Sequence, residues 1–368
     1  MIERVMTFGI HGLGLAIPKR SLSQVLAAEH SVEMWGEVHE RAGVVRALYR
    51  RSGVKQRHSV LIDPLDDPEL FQQSFYQPAR DTSDRGPSTQ ARMDRYELEA
   101  LPLGVRSCTA AMQSAGVRPE EITHLVTVSC SGFSAPGVDM GLIELLQLRR
   151  EVSRTNVGFM GCHGAFNGLR VAKAYAESDP DARVLLCCIE ICSLHQQYSD
   201  DAQQIVANAL FSDGSAAVVG RSSPPTTGAW QLKSQRSLIL PETRDMMSWR
   251  IGDNGFLMTL DPQVPDIIGK HLRPWVTEWL RPLGLSVEQI PTWAVHPGGP
   301  RVLTACTAAL GVDDSIVDVS REVLAQNGNM SSPTILFILD ALRRRQAPLP
   351  CVSLAFGPGL TIEAALWV

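Results

Sequence analysis

Short apolar runs and amphipathic stretches alternate along most of the chain. The apolar runs have the length of strands, and they lie at 7–17, 124–129, 183–189, 230–240, 293–296 and 351–355. Between them, apolar residues recur every three or four positions, which is the spacing of a helix that packs on a sheet through one face. The clearest pattern of this kind places apolar side chains at positions 165, 169, 172 and 176. Alternating strands and helices predict an α/β protein.

The order of these elements occurs twice. In each half a strand leads through a loop into a helix, and a glycine-led helix, a strand, a turn and a closing strand follow. Such a repeat predicts an internally duplicated fold with α/β/α/β/α layers. The Ser/Pro/Thr/Gly segment at 222–228 has the composition of a linker. We therefore predict two halves, residues 1–225 and residues 226–368.

Other segments have less distinct patterns. Residues 20–50 and residues 264–283 are helical in pattern, whereas residues 61–92 are rich in Asp, Pro, Gln and Ser and predict a long surface loop. A helix is expected from about residue 93 to residue 115. Residues 249–260 carry alternating apolar positions around two glycines.

Composition excludes several classes of protein. The chain has 368 residues, 44% of them hydrophobic and 20% charged, which is typical of a globular protein. A net charge of −5 gives no electrostatic footprint for nucleic acid. No apolar run reaches membrane-spanning length, and the N-terminus does not resemble a signal peptide. Eight cysteines without a C-x-x-C pair argue against zinc and suit reduced thiols in a cytoplasmic protein.

Cys162 is the candidate nucleophile. It lies between Gly161 and Gly164 at the start of the clearest helical pattern, and a strand follows. The helix dipole and free backbone N–H groups at this position favour a thiolate. The glycines let a substrate or other backbone come close. The alternative is a buried structural cysteine.

A histidine and an asparagine occupy matching positions in the second half. His296 ends a predicted strand, and Asn329 precedes a helix for which Ser331 or Ser332 is the predicted cap. The duplication places the starts of the Cys162 and Asn329 helices opposite each other, and His296 arrives at the same place. The imidazole can hold the cysteine as a thiolate, and both polar groups can stabilise a developing oxyanion. The alternatives are a turn histidine and a turn or cap asparagine.

Two further histidines are candidates for the same role. His163 follows Cys162 directly, so the two side chains diverge on a helix and His163 is predicted to be structural. His195 comes just after the strand at 183–189 and is a candidate for the wall of a pocket.

A basic cluster lies near the end of the first helical region. Its members are Arg46, Arg50, Arg51, Lys55 and Arg57. One interpretation is a solvated helix face. The other is a site for an anionic ligand such as the phosphates of coenzyme A.

These residues together resemble the type III polyketide synthases, the chalcone synthase superfamily of the thiolase fold. The resemblance covers nearly the whole chain. The motifs that carry it are Gly161-Cys162, Ala209-Leu210-Phe211-Ser212-Asp213-Gly214, Val295-His296-Pro297-Gly298-Gly299-Pro300, Gly328-Asn329-Met330-Ser331-Ser332 and Phe356-Gly357-Pro358-Gly359. The resemblance implies the five-layer thiolase-like fold and a homodimer without a metal or prosthetic group.

The resemblance also implies catalytic roles. Cys162 would be acylated by a starter acyl-CoA and would hold the growing chain. His296 and Asn329 would drive decarboxylation of malonyl-CoA and stabilise the enolate that attacks the thioester. Phe211 would be the aromatic gatekeeper between the CoA tunnel and the cavity.

Binding residues follow from the same resemblance. Gly298, Gly299 and Pro300 would lie along the pantetheine of CoA, with the basic cluster near the phosphates. The residues expected to contact the growing chain are Cys130, Ser131, Cys192, His195, Trp249, Met258, Ser331 and Phe356.

The sequence departs from the plant members of the family at the predicted cavity. Met258 stands where a second phenylalanine is expected, although Phe256 is near, and Trp249 stands where the plant enzymes have glycine. Cys130 and Cys192 stand in place of threonines. These departures favour aliphatic starters extended to alkylpyrones or alkylresorcinols, because a large Trp249 would close the route for an aromatic coumaroyl ring.

Other functions stay open from sequence. The two cysteines also suit a synthase that uses malonyl-CoA as its own starter and makes a naphthalenetetrol. An initiating β-ketoacyl synthase III shares the Cys-His-Asn set, as does a papain-like thiol hydrolase, although the flanking residues and the duplication argue against the hydrolase. A binding scaffold without catalysis would not need all three polar residues.

Overall fold

The computed structural model describes residues 6–35, 41–63, 72–224 and 228–368. The strands of this part of the chain are β1 Thr7–Ala16, β2 Ser21–Ser23, β3 Gln56–His58, β4 His124–Ser129, β5 Ser153–Gly158, β6 Val184–Ile191, β7 Asp213–Ser223, β8 Trp230–Ile239, β9 Met247–Gly252, β10 Gly255–Leu260, β11 Thr292–Val295, β12 Cys351–Gly357 and β13 Thr361–Trp367. The helices are α1 Gln24–Trp35, α2 Ala42–Arg51, α3 Thr89–Ala115, α4 Val138–Leu146, α5 Gly164–Ser178, α6 Ala202–Leu210, α7 Val264–Leu280, α8 Pro300–Leu310, α9 Asp318–Asn327 and α10 Thr334–Arg344.

The sheet topology repeats between the two halves, as the sequence predicts. The strands of the first half lie in the order β1-β7-β6-β4-β5, and those of the second half lie in the order β8-β13-β12-β11. In both halves the last strand lies antiparallel to its two neighbours, and the following pair, β6–β4 or β12–β11, is parallel. Strands β1 and β8 join the two halves through a short antiparallel pairing. The matching order and polarity confirm the internal duplication.

Two helices lie between the halves of the sheet. The apolar faces of α5 and α10 form a shared core with alternate residues of the strands, among them Val126 and Val128 of β4 and Ala355 of β12. These helices are the two glycine-led helices of the duplication, and their N-termini are therefore brought toward the same region.

The opposite faces of the sheet are covered by other helices. Leu125 of β4 and Leu185 of β6 belong to a core with α1, α2, α3 and α4. Leu354 and Phe356 of β12 belong to a core with α7 and α8. Because β6, β11 and β12 are buried along their whole length, most of their residues are apolar. The layers are thus α/β/α/β/α, which confirms the predicted thiolase-like fold.

The elements missed from sequence are short or polar. Strand β5 has an exposed face, and α6 and α9 were not predicted. The predicted cap of α10 is wrong: Pro333 is the N-cap, and no side chain caps this helix. The proposed boundary after residue 225 lies outside the described residues and stays a prediction, as does the nature of the N-terminal five residues. Among the described helices, none combines the length and the apolarity needed to cross a bilayer.

Candidate active site

Cys162 lies in a single 3-10 turn, Gly161–His163, that runs directly into α5. Gly161 has a φ of +64°, and a Cβ at this position would lie 2.6 Å from Cδ of Pro358. Glycine is therefore required here both by the backbone conformation and by the approach of the Gly-Pro-Gly turn. That turn also covers His163, whose ring leaves no space for a side chain at Gly357. The Nδ1 atom of His163 bonds to Asn167, as expected for a structural histidine.

Asn329 is held next to Cys162 by backbone bonds to the segment that contains Phe211. The N–H of Asn329 donates to the Leu210 carbonyl at 2.9 Å, and the N–H of Ser212 donates to the Asn329 carbonyl at 2.9 Å. The side-chain Oδ1 of Asn329 accepts a bond of 2.8 Å from the N–H of Ser331. This leaves Nδ2 facing Sγ of Cys162 at 3.9 Å. The amide donor is thus fixed in orientation and directed at the nucleophile.

His296 follows β11 and is 1% exposed. Its backbone N–H donates to the Leu354 carbonyl at 2.8 Å. Neither ring nitrogen has a hydrogen-bond partner among the described residues. A buried imidazole with both nitrogens free is uncommon, because unsatisfied polar groups are costly in the interior. Both nitrogens are therefore available to a bound substrate.

Burial acts on the two titrating groups in opposite directions. It raises the pKa of Cys162 to about 11, an effect that hydrogen bonding to Ser331 and Asn329 reduces. It lowers the pKa of His296 to about 3, and the charge of His163 lowers it further. Burial therefore opposes the thiolate that the position of Cys162 at the start of a helix was predicted to favour.

Glu190, at the end of β6, is a buried carboxylate that sequence reasoning missed. The hydroxyls of Ser131 and Ser332 each donate to it at 2.6 Å, and the N–H of Cys130 donates at 2.9 Å. Burial raises the pKa of Glu190. Because these donors come from the loop after β4 and from the start of α10, Glu190 ties together the segments that surround Cys162. The sequence signal that could have identified Glu190 was a single acidic residue at the end of an otherwise apolar strand.

Three rings form what we call the aromatic wall: His195, Trp249 and Phe256. The His195 and Phe256 rings stack with centroids 4.2 Å apart, and Trp249 meets both edge-on. The N–H of Phe256 donates to Nδ1 of His195 at 3.1 Å, so Nε2 carries the proton and donates to the Ser131 carbonyl at 2.6 Å. Burial lowers the pKa of His195 to about 3. His195 is thus a neutral structural link in the wall.

The wall borders a cavity with a free volume of about 70 Å³. Phe211, Cys192 and Met258 line it, as predicted, together with His195 and Trp249. Trp249 is fixed by its indole N–H, which donates to the Cys130 carbonyl at 2.6 Å. The same cavity is also lined by the aliphatic side chains of Leu22, Ala27, Leu61 and Ile62 and by polar ones, among them Arg57, His58 and Gln73.

Three other residues that were predicted to contact the growing chain do not line this cavity. Phe356 is wrong as a cavity residue: side chains alternate along β12, which directs Phe356 into the core with α7 and α8. Ser131 is fully buried, and its hydroxyl donates a hydrogen bond to the carboxylate of Glu190. Ser331 lies at the site, with its hydroxyl 3.3 Å from Sγ of Cys130.

A groove of about 410 Å³ is lined in part by Leu210, the residue before Phe211, and contains some of the residues predicted to bind CoA. Gly298, Gly299 and Pro300 line it, and Arg51 and Arg301 bring positive charge to its rim. Arg301 was missed from sequence because it stands alone at the start of α8.

The rest of the basic cluster does not line this groove. Arg46 forms a two-pronged ion pair with Glu29 of α1. Arg57 is used internally, since it donates to the carbonyls of Asn208 and Ala209. Arg50 and Lys55 are exposed. Two of the five predicted cations are therefore engaged in contacts that hold helices together.

Both halves of the chain match one family. Residues 8–224 match the N-terminal domain of chalcone and stilbene synthases, and residues 231–367 match the C-terminal domain. The chain belongs to the chalcone and stilbene synthase family. The synthase is 33% identical over 368 residues to the alpha-pyrone synthesis polyketide synthase-like Pks18 of Mycobacterium tuberculosis, a match that covers 97% of this chain and 90% of that protein.

Two further relatives agree with this assignment. The synthase is 32% identical over 357 residues to 1,3,6,8-tetrahydroxynaphthalene synthase of Streptomyces peucetius, covering 95% of this chain and 90% of that protein. The crystal structure of PKS-I from the brown alga Ectocarpus siliculosus superposes with a TM-score of 0.92 at 27% identity, over 100% of this chain and 99% of that one.

The predicted class of enzyme is thereby confirmed. The synthase is a type III polyketide synthase, an acyltransferase that extends an acyl-CoA starter by decarboxylative Claisen condensation with malonyl-CoA. The papain-like hydrolase does not apply, because both halves of the chain match the synthase family.

Proposed function

We propose that Cys162, His296 and Asn329 carry out every round of chain extension. The observation that supports this most is the buried His296 ring, whose two nitrogens have no hydrogen-bond partner among the described residues. The amide donor of Asn329 is fixed 3.9 Å from the Cys162 sulfur. Such donors stabilise an oxyanion strongly because they are preorganised and shielded from water. Acyl transfer and enolate formation then take place at the same site.

The proposed reaction has three balanced steps. Cys162 transfers its thiol proton to His296 and attacks the starter thioester, and the departing CoA sulfur takes that proton from His296, which leaves an acyl-enzyme and free CoA. Malonyl-CoA then loses CO₂, and His296 and Asn329 donate hydrogen bonds to the resulting enolate oxygen. The enolate carbon attacks the acyl-enzyme carbonyl and expels the Cys162 sulfur as a thiolate, which takes up a proton from solvent, and the product is a β-ketoacyl-CoA longer by two carbons. None of these steps needs a metal or prosthetic group, and we propose that the synthase uses none.

For the starter we propose an aliphatic acyl-CoA, with an alkylpyrone or alkylresorcinol as product. Trp249 occupies the cavity side on which a flat aromatic ring would lie, and its hydrogen bond to Cys130 holds it there. Met258 is flexible and can move aside for an alkyl tail. The aliphatic side chains that line the cavity suit such a tail. The relative Pks18, by its name, makes α-pyrones.

A second candidate is malonyl-CoA as its own starter. Both cysteines stand in place of threonines: Cys192 lines the cavity, and Cys130 accepts the hydrogen bond of Trp249 through its carbonyl and contacts Ser331 through its sulfur. The relative named for tetrahydroxynaphthalene synthesis is similar over nearly the whole chain. The same starter assay distinguishes the two candidates.

We predict that hexanoyl-CoA and lauroyl-CoA are used at least about tenfold better, in kcat/KM, than coumaroyl-CoA, which is within the discrimination that a shaped apolar pocket provides. The measurement is a competition among acetyl-, hexanoyl-, lauroyl-, malonyl- and coumaroyl-CoA, with products identified by mass. Trp249→Gly should admit coumaroyl-CoA. Trp249→Phe keeps a ring but loses the bond to Cys130, and it should still reject that substrate. A preference of the parent enzyme for coumaroyl-CoA would disprove the role of Trp249.

We also propose a twofold-symmetric homodimer in the cytoplasm. Apolar side chains that stand out to solvent cluster on and near the loop after β4, where Phe133 is 51% exposed and Phe159 and Met160 are 37% and 40% exposed. The Phe133 and Phe159 rings are in contact, with centroids 5.7 Å apart. A joined apolar patch beside the active site is typical of an interface. The cytoplasmic location rests on the eight free thiols.

Sedimentation velocity at micromolar concentration should give the mass of two chains, with an interface well above the ~1,600 Å² of a standard complex. Phe133→Glu should shift the equilibrium toward the single chain, because it buries a charge in the interface. Val25→Glu changes an exposed apolar residue on α1 and serves as the matched control. A parent enzyme that sediments as a single chain would remove this proposal.

A further inference from the structure

Arg92, in the first turn of α3, is a fully buried cation outside the site described above. Its Nε donates to the Pro87 carbonyl at 2.9 Å. Its Nη1 donates to the Tyr76 hydroxyl at 2.9 Å, to the Gln196 carbonyl at 3.0 Å and to the Leu194 carbonyl. Among the described residues no carboxylate forms an ion pair with it. Its charge is therefore stabilised by neutral oxygens and by the face of the Tyr76 ring, whose centroid lies 5.4 Å from the guanidinium carbon.

Such an arrangement is costly for a structural residue. Removing a guanidinium from water carries a large desolvation penalty, and arginine is seldom fully buried without an anionic partner. One terminal nitrogen of Arg92 also lacks any partner among the described residues. An apolar residue of similar length would fill the same space at lower cost. The feature that an apolar residue could not reproduce is the set of bonds to fixed backbone carbonyls.

Those carbonyls flank the aromatic wall. Leu194 and Gln196 are the two neighbours of His195, so Arg92 holds the backbone on both sides of that ring. On its other side the guanidinium lies against Gly255, where a Cβ would be 2.8 Å from Nε of Arg92. Gly255 directly precedes Phe256, the ring that stacks on His195. Arg92 thus fixes both members of the stacked pair.

Thr89, one turn before Arg92 in α3, forms hydrogen bonds with the β9–β10 hairpin, which contains Gly255. The hydroxyl of Thr89 accepts a bond of 2.8 Å from the N–H of Gly255 and donates to the Gly252 carbonyl. The N–H of Thr89 donates to the Asp253 carbonyl at 2.7 Å. Residues three apart lie on one face of a helix. The start of α3 therefore holds the tip of the β9–β10 hairpin, and Arg92 extends this attachment to the loop that carries His195.

We propose that Arg92 is a positioning residue that sets the location of the aromatic wall and thereby the length and shape of chain that the synthase accepts. This inference rests on the proposed function, in which the cavity beside the wall receives the acyl chain. No hydrogen bond joins Arg92 to Cys162, His296 or Asn329 within the part of the chain that the structure describes. It therefore acts on the extent of extension and on starter binding, and the decarboxylation chemistry is independent of it.

The test compares Arg92→Met and Arg92→Lys with the parent enzyme. Two readouts are needed: release of CO₂ from malonyl-CoA alone, and the mass distribution of products formed from lauroyl-CoA and malonyl-CoA. Arg92→Met should release CO₂ within about twofold of the parent rate, yet raise KM for lauroyl-CoA about tenfold and change the proportions of products of different length, because the wall is loosened. Arg92→Lys retains one charged donor and should restore part of the parent distribution.

Two variants separate positioning from stability. Arg106→Met removes an exposed arginine of the same helix that also donates to a backbone carbonyl, that of Ile17, and should leave both readouts unchanged. Thr89→Ala is a smaller change at the start of α3 and should give the same direction of product shift as Arg92→Met if the latter fails to fold. Folded variants with the parent product distribution would overturn the inference. So would a parallel fall in CO₂ release and product formation. A parent enzyme that makes no polyketide would instead overturn the proposed function.

Discussion

Cys162→Ala should abolish polyketide formation while CO₂ release from malonyl-CoA continues. The substitution removes the only atom proposed to carry the acyl chain, so no thioester forms and extension cannot begin. The donors proposed to stabilise the enolate belong to other side chains and stay in place. The Cys162 sulfur interacts with Ser331 and lies about 4 Å from Asn329, and a sulfur forms only weak hydrogen bonds, so its loss costs the fold little. Product formation should fall to background, while CO₂ release should stay within a few-fold of the parent rate.

The measurement uses labelled malonyl-CoA for CO₂ and mass spectrometry of the intact protein for the acyl-enzyme. Incubation with an acyl-CoA should add one acyl group to the parent and none to Cys162→Ala. Cys306→Ala removes a fully buried thiol in the outer core and is the matched control for loading. Acylation that persists in Cys162→Ala would move the nucleophile to Cys130 or Cys192, although burial raises the pKa of both thiols.

The duplication explains why the central part of the site was readable from sequence. Strands buried on both faces are continuous apolar runs, and each run marks the strand that leads to a functional loop. Two such runs in the same order led to the prediction that Cys162, His296 and Asn329 meet at one pseudo-twofold axis, and the structure brings Cys162 and Asn329 together. Residues far apart in the chain could be predicted to lie close together, because equivalent elements of a duplicated fold are related by the pseudo-twofold axis. Equivalent strands follow the same order in the two halves of the sheet.

The residues that were missed depend on contacts that no local pattern contains. Arg92 ends the segment that was predicted to be a surface loop, and it is buried because the loop at 194–196 and the β9–β10 hairpin fold over it. Arg46 looked like part of a phosphate site, but its partner Glu29 comes from the neighbouring helix. A charge in a sequence gives no information about which surface covers it. Such residues are identified only once the layers are assembled.

Sequence reasoning also failed to assign the face of the sheet to which one side chain points. Phe356 was predicted to contact the growing chain from the family resemblance, in which it belongs to the motif Phe356-Gly357-Pro358-Gly359. Successive residues of a strand point to opposite faces, and Ala355 faces the central helices while Phe356 faces α7 and α8. A motif can therefore be correctly recognised and still be assigned the wrong side chain. The backbone turn that follows Phe356 is the part that reaches the site.

His296→Ala and Asn329→Ala should each reduce decarboxylation of malonyl-CoA by about 100- to 1000-fold, the usual effect of losing one oxyanion donor. His296 offers two free ring nitrogens in a buried site, so removing the ring leaves no protein group without a partner. Its effect on stability is limited to the small cavity that it leaves, and the loss of activity then reports on catalysis. The rate of CO₂ release in the Cys162→Ala background isolates this step from loading.

Asn329→Asp separates shape from hydrogen bonding at the second donor. The carboxylate keeps the acceptor for the Ser331 N–H but replaces the Nδ2 donor with an oxygen that repels an enolate. It should therefore decarboxylate no faster than Asn329→Ala. His271→Ala changes a half-buried histidine on α7 and is the matched control, with an unchanged rate expected. Parent-like CO₂ release from His296→Ala would show that the buried imidazole is not an oxyanion donor, and the enolate would then have to be stabilised by Asn329 and backbone N–H groups alone.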